Sequence, residues 1–139
     1  PWALFGDAMA LSAHAWYAGG EDEAHGRALF SACRTGVLKV LGPANPRLDY
    51  PATGLLLFAL GAWGLLRKAA AAPEALRLLA LADRFAYNRT IPTMEWERML
   101  PSAEEAQPGA MAGLQAEYAR RRPPDLLGEA RQLAERLPA

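Results

Sequence analysis

Val, Ile and Thr together fill 7 of the 139 positions, while 30 Ala and 22 Leu fill 52. Strands are built largely from β-branched and aromatic residues, and the branched part of that supply is almost missing. Ala and Leu lose least on entering a helix. The chain is therefore expected to be all-α, burying its apolar surface by stacking helix on helix. A length of 139 residues is one domain's worth, enough to close a single core.

Punctuation cuts the sequence into helix-length pieces. Trp2 to Ala18 reads as a first helix closed by Gly19-Gly20, and Glu21 to Leu41 as a second closed by Gly42-Pro43. Glu21, Asp22 and Glu23 crowd the start of the second, where the positive end of the helix dipole favours them. The proline-rich run 44–51 is a loop, and a third helix spans about Ala52 to Ala70. Pro73 opens a fourth, with Ala75, Leu78, Leu79, Ala82, Phe85 and Ala86 inward and Glu74, Arg77 and Arg84 on the wet side. Asn88 ends it, and Ile91-Pro92 blocks continuation.

Downstream, Thr93 is placed to cap a short helix through Leu100. Ser102 with Glu105 then forms a capping box after Pro101, and Pro108 starts a helix to about Arg121. Pro123-Pro124 breaks that helix. Asp125 to Leu137 closes the chain with Leu126, Ala130, Leu133 and Leu137 inward. Six or seven helices joined by short turns make antiparallel hairpins in a bundle or short solenoid. Two joints of similar composition, around Ala24 and Ala75, suggest tetratricopeptide-like hairpins, although their spacing of 51 residues exceeds the usual 34.

Composition also limits the function. Fifteen basic and fifteen acidic side chains cancel, so the chain lacks the basic field that phosphate-dominated nucleic-acid binding needs. The longest uncharged run, Tyr50 to Leu66, is 17 residues and holds Pro51, Gly54, Gly61 and Gly64, which suits a buried central helix better than a membrane span. A lone Cys33 forms no internal disulfide and reads as a small core residue. The chain opens Pro1-Trp2 without a secretory leader, as an excised piece of a larger cytoplasmic protein would.

His14 and His25 fall on different helices with no further ligand at metal spacing, and read as partly buried, hydrogen-bonded histidines. Asp7, His14 and either Ser12 or Ser31 offer a nucleophile arrangement at chance spacing, unsupported by a Gly-x-Ser-x-Gly elbow. No phosphate-cradling glycine loop occurs, so neither catalytic residues nor a cofactor or metal are expected. Arg120-Arg121-Arg122 suits a helix C-terminus. The unusual stretch is Phe85 to Trp96, where aromatics mix with Asn88, Arg89 and Arg98 around a proline-bent turn. Phe85, Tyr87, Asn88, Arg89, Trp96 and Arg98 are accordingly expected to form an interaction surface.

The run DYPATGLLLFALGAWGLLRKAAAAPEALRLLALADRFAYNRTIPTMEWER, from Asp49 to Arg98, resembles the C-terminal region of large actinobacterial transcriptional regulators. These carry a bacterial transcriptional activator domain of the Streptomyces antibiotic regulatory protein type. The likeness is strongest in Tyr50-Pro51-Ala52-Thr53-Gly54 and in Ala82-Asp83-Arg84-Phe85-Ala86-Tyr87-Asn88-Arg89. It implies a non-catalytic tetratricopeptide-like module that contacts a protein partner, upstream domains of its own chain or a second copy in a homodimer. The zero net charge and the shortness of the uncharged run, for their part, lead to the expectation of no nucleic-acid or membrane contact by this piece. The alternative expectation is a small-molecule sensor with an apolar cavity beside Trp63 and Phe85.

Overall fold

A computed structural model describes residues 2–17, 19–42, 50–85, 87 and 89–138. These fold into seven α-helices: α1 (Trp2–Tyr17), α2 (Glu23–Val40), α3 (Tyr50–Leu66), α4 (Ala72–Arg84), α5 (Trp96–Ala106), α6 (Ala110–Ala119) and α7 (Pro123–Arg136). No strand occurs among the described residues. Short 3₁₀ turns at Gly20–Asp22 and Pro92–Met94 lead into α2 and α5. Of the expected loop, residues 44–49 lie outside the described part, while Tyr50 and Pro51 open α3, where a first-turn proline loses no helical hydrogen bond.

The structure differs from the sequence-based expectation at several helix ends. Pro101, expected to separate two helices, sits inside α5 as its sixth residue. Trp96, Met99 and Ala103 are buried on one stripe of that helix, so a break between Met99 and Ala103 would forfeit core burial, whereas Pro101 and Glu97 are exposed and water can serve the orphaned carbonyl. Ser102 therefore lies within a helix and caps nothing. Thr93 does not cap α5 either, because Glu95 holds that position and the Thr93 hydroxyl lies 2.9 Å from Ser12 Oγ. The fourth helix also stops at Arg84, before Asn88, with Phe85 already extended at φ −94° and ψ 139°.

Helix α3 is the axis of the molecule. Every residue from Ala52 to Gly64 is buried, as an uncharged run without a polar face requires. Helices α1, α2 and α4 pack around it, and α5 touches it. The chain is antiparallel within each early hairpin: Leu4 meets Gly36 at one end of α1–α2 and His14 meets His25 at the other. In α3–α4, Gly61 lies against Leu79 and Gly64 against Ala75. The first hairpin then stacks on the second through both α1 and α2, the arrangement of neighbouring units in a helical solenoid.

Glycine sets two of these approaches. A Cβ at Gly26 of α2 would fall 2.1 Å from Trp63 Cη2, and one at Gly61 would fall 2.8 Å from Leu79 Cγ. Both positions let a large core side chain press against bare backbone.

The second half does not continue the stack. Helix α4 is covered by α6 and α7, and α7 reaches back onto α2. Arg34 of α2 donates to the Ala134 and Glu135 carbonyls at 3.0 and 2.9 Å, satisfying acceptors that the last turn of α7 leaves open. Leu126, Ala130, Leu133 and Leu137 all point into the core. The result is one contiguous core reaching from Ala8 to Leu137.

Candidate functional site

The segment from Phe85 to Trp96 bends beneath the C-terminal end of α1, and the bend turns its aromatic rings inward. Phe85, Tyr87 and Trp96 are only 1, 9 and 6 % exposed, so the expected surface is corrected: these three are core residues. Tyr87 packs on Phe58 of α3 with ring centroids 5.2 Å apart, one of the offset contacts aromatic pairs favour. Each ring buries far more area inward than a contact surface would leave exposed. Asn88 lies outside the described residues.

What reaches solvent is arginine. The exposed Arg89 guanidinium sits 4.9 Å from the Tyr87 ring centroid and 5.5 Å from that of Trp96, and is ion-paired with Asp83. Gln115 of α6 donates to the other Asp83 oxygen at 3.4 Å, which ties the arrangement to α4 and α6.

Arg98 makes the second half of this face. Its guanidinium lies 4.4 Å from the Trp16 ring and 5.1 Å from the Tyr17 ring, and donates to the Pro92 carbonyl at 3.4 Å. Trp16 Nε1 donates to the Thr93 carbonyl at 3.1 Å, fixing the indole against the bend. Among the described residues Arg98 forms no ion pair with a carboxylate, and Tyr17 is 65 % exposed. Trp16 and Tyr17 belong to α1, about 80 positions from Arg98, and only tertiary packing brings them together. Their sequence signal was an aromatic pair at the end of α1, just before Gly19-Gly20.

A separate polar junction joins α4, α6 and α7. The fully buried Tyr118 donates to Glu129 Oε1 at 3.0 Å and accepts from Arg77 at 3.1 Å, while Arg121 donates to Glu129 Oε2 at 3.2 Å. Burial, helped by the Glu129 carboxylate, pushes the Tyr118 phenol up to about 12, against the opposing pull of Arg77. Arg77 and Arg84, expected on the wet side, are half-buried here because α6 and α7 cover them; Arg84 donates to the Arg121 carbonyl at 2.7 Å. Beside the junction lies an open groove of about 390 Å³ lined by residues including Pro73, Arg77, Leu114 and Glu117. Of the basic cluster, Arg121 and Arg122 serve α7, with Arg122 3.7 Å from Asp125.

The remaining candidates are placed as follows. Ser12 is buried, donates to the Met9 carbonyl at 2.9 Å and lies against Thr93; the His14 Nδ1 is bonded to the Ala10 carbonyl at 2.9 Å. Neither is set against the other as nucleophile and base. Cys33 is buried, and burial with the Asp7 charge raises its thiol to about 12, far from the thiolate a reactive cysteine needs. Trp63 and Phe85, each 1 % exposed, lie inside the packed core. No group of three or more His, Cys, Asp or Glu converges as a metal site among the described residues, and no described helix is long and apolar enough to cross a membrane. Comparison with family models, curated proteins and solved structures finds no match for this chain.

Proposed function

We propose that the chain is a non-catalytic interaction module of a multidomain cytoplasmic transcriptional regulator. It docks a partner protein, or another domain of the same regulator, through the face made by Tyr17, Trp16, Arg98 and Arg89. The observation that carries this reading is Arg98 stacked on Trp16 and Tyr17 with no carboxylate partner among the described residues. Trp, Tyr and Arg are the residue types in which binding energy concentrates, and a guanidinium already held by stacking loses little freedom on meeting a carboxylate. The neutral net charge and the stacked hairpins agree with protein contact better than with nucleic-acid contact. The regulator itself is inferred from the resemblance between Asp49 and Arg98.

The test is a calorimetric titration of this chain with the other domains of the regulator that carries it. Binding at about 10 μM or tighter is expected, weakened at least about tenfold by Tyr17→Ala combined with Arg98→Ala, as loss of a stacked hot spot would produce. Absence of binding, or equal binding by the double variant, overturns the assignment.

A further inference from the structure

The fold creates one pairing of ligating side chains that their positions in sequence conceal. His14, in the last turn of α1, and His25, in the first turn of α2, stand with ring centroids 4.9 Å apart and planes inclined at 65°. Two imidazoles sharing one ion at nitrogen–metal distances of about 2.0–2.1 Å place their centroids roughly 5 Å apart in tetrahedral geometry. The His14 Nδ1 lies 2.9 Å from the Ala10 carbonyl, a group that only accepts, so Nδ1 carries the proton. The lone pair is therefore on Nε2, the nitrogen that this bond leaves open. Metal-ligating histidines typically have their other ring nitrogen held by such a carbonyl, which fixes tautomer and ring direction. His25 is exposed, so its ring is free to turn its lone pair toward the same point.

We propose that His14 and His25 form a two-imidazole site for a late first-row divalent transition-metal ion, with the remaining coordination positions open to water. Imidazole suits Cu(II), Ni(II) and Zn(II) and discriminates against Mg(II) and Ca(II), which prefer oxygen. Local charge is mixed. Arg67 donates to the His14 carbonyl at 2.7 Å and opposes a cation, while Glu21, Asp22 and Glu23 on the turn leading to His25 favour one. The bound ion clips the turn end of the α1–α2 hairpin, because its two ligands come from different helices on either side of that turn. Such binding adds to the stability of the folded state.

The experiment titrates the intact chain with Cu(II), Ni(II), Zn(II) and Mg(II) salts in a non-chelating buffer, read by calorimetry and thermal melting. One ion per chain is expected, with affinity rising from Zn(II) or Ni(II) to Cu(II) and no saturable Mg(II) binding. At ion concentrations near ten times Kd, Tm should rise by about 5 °C. His14→Ala and His25→Ala should each weaken Cu(II) binding at least about tenfold, and the Cu(II) spin-resonance spectrum should show coupling to two nitrogens in the native chain and one in either variant. His25 is exposed, so His25→Ala preserves the fold, and its melt without metal checks this. Glu21→Gln with Asp22→Asn should leave the two-nitrogen signature intact. No saturable Ni(II) or Cu(II) binding up to about 1 mM, the affinity of a minimal contact, overturns the proposal. So does binding that His25→Ala leaves within twofold of the native chain.

Discussion

Tyr87 shows how a residue chosen for one environment behaves in another. Among the described residues its hydroxyl is buried without a hydrogen-bond partner, and burial raises its pKa well above the usual phenol value, opposed in part by Arg89. An unpaired buried hydroxyl costs about 1–3 kcal/mol, while its removal keeps the ring on Phe58 and beneath Arg89. Tyr87→Phe should therefore stabilise the chain by about 1 kcal/mol, visible as a higher urea midpoint at unchanged slope. A lower midpoint would mean that the hydroxyl has a partner in solution. Arg89 and Arg98 are the opposite case. Each lays its guanidinium across aromatic faces, and the sequence marked both as contact residues while giving no sign that Tyr87 and Trp96 beneath Arg89 would be buried. The amphipathic period cannot show this, since Phe85 to Trp96 contains a bend and has no single helical face.

At the scale of elements, the competition between propensity and burial is sharpest in α5. Pro101 denies Glu97 its helical hydrogen bond, yet the helix continues because Met99 and Ala103 flank the proline on the buried stripe. Interior proline costs up to about 3 kcal/mol against alanine, so Pro101→Ala should stabilise the protein by about 1–3 kcal/mol and slow amide exchange from Glu97 to Ala103. Unchanged stability would show that α5 is already frayed at that turn. Helix α4 makes a related point. Its apolar stripe was plain in sequence, but Arg77 and Arg84 read as solvated because nothing local announces that α6 and α7 will lie across them. Glu129 of α7 accepts from Tyr118, Arg77 and Arg121, and no local pattern announces that either.

For the whole molecule, the buried acids predict how stability responds to alkali. Cys33 and Tyr118 hold their protons more tightly when folded, both mainly through desolvation, with pKa values pushed up to about 12. The folded state then binds more protons than the unfolded state above the ordinary values of 9.0 and 10.0, and stability falls as pH rises. Their contribution is whole below pH 9.0 and is lost progressively toward about 12. Urea midpoints measured from pH 8 to 11 should decline from about pH 9, and Cys33→Ala should delay the onset toward pH 10, where Tyr118 takes over. A flat profile would mean that neither group is desolvated in the folded chain. What sequence determined by itself was the helical class, the boundaries of the helices other than α5 to within a few residues and the central place of α3. Each follows from short-range causes: backbone propensity, caps and prolines, and an uncharged run that no helix surface tolerates in water. Tertiary structure alone decided that Trp16 and Tyr17 would meet Arg98, that Arg77 and Glu129 would close over Tyr118, and that His14 would face His25. Those partners lie between 11 and about 80 positions apart, and contact at such separations is set by how helices cross, which no local pattern of residues encodes.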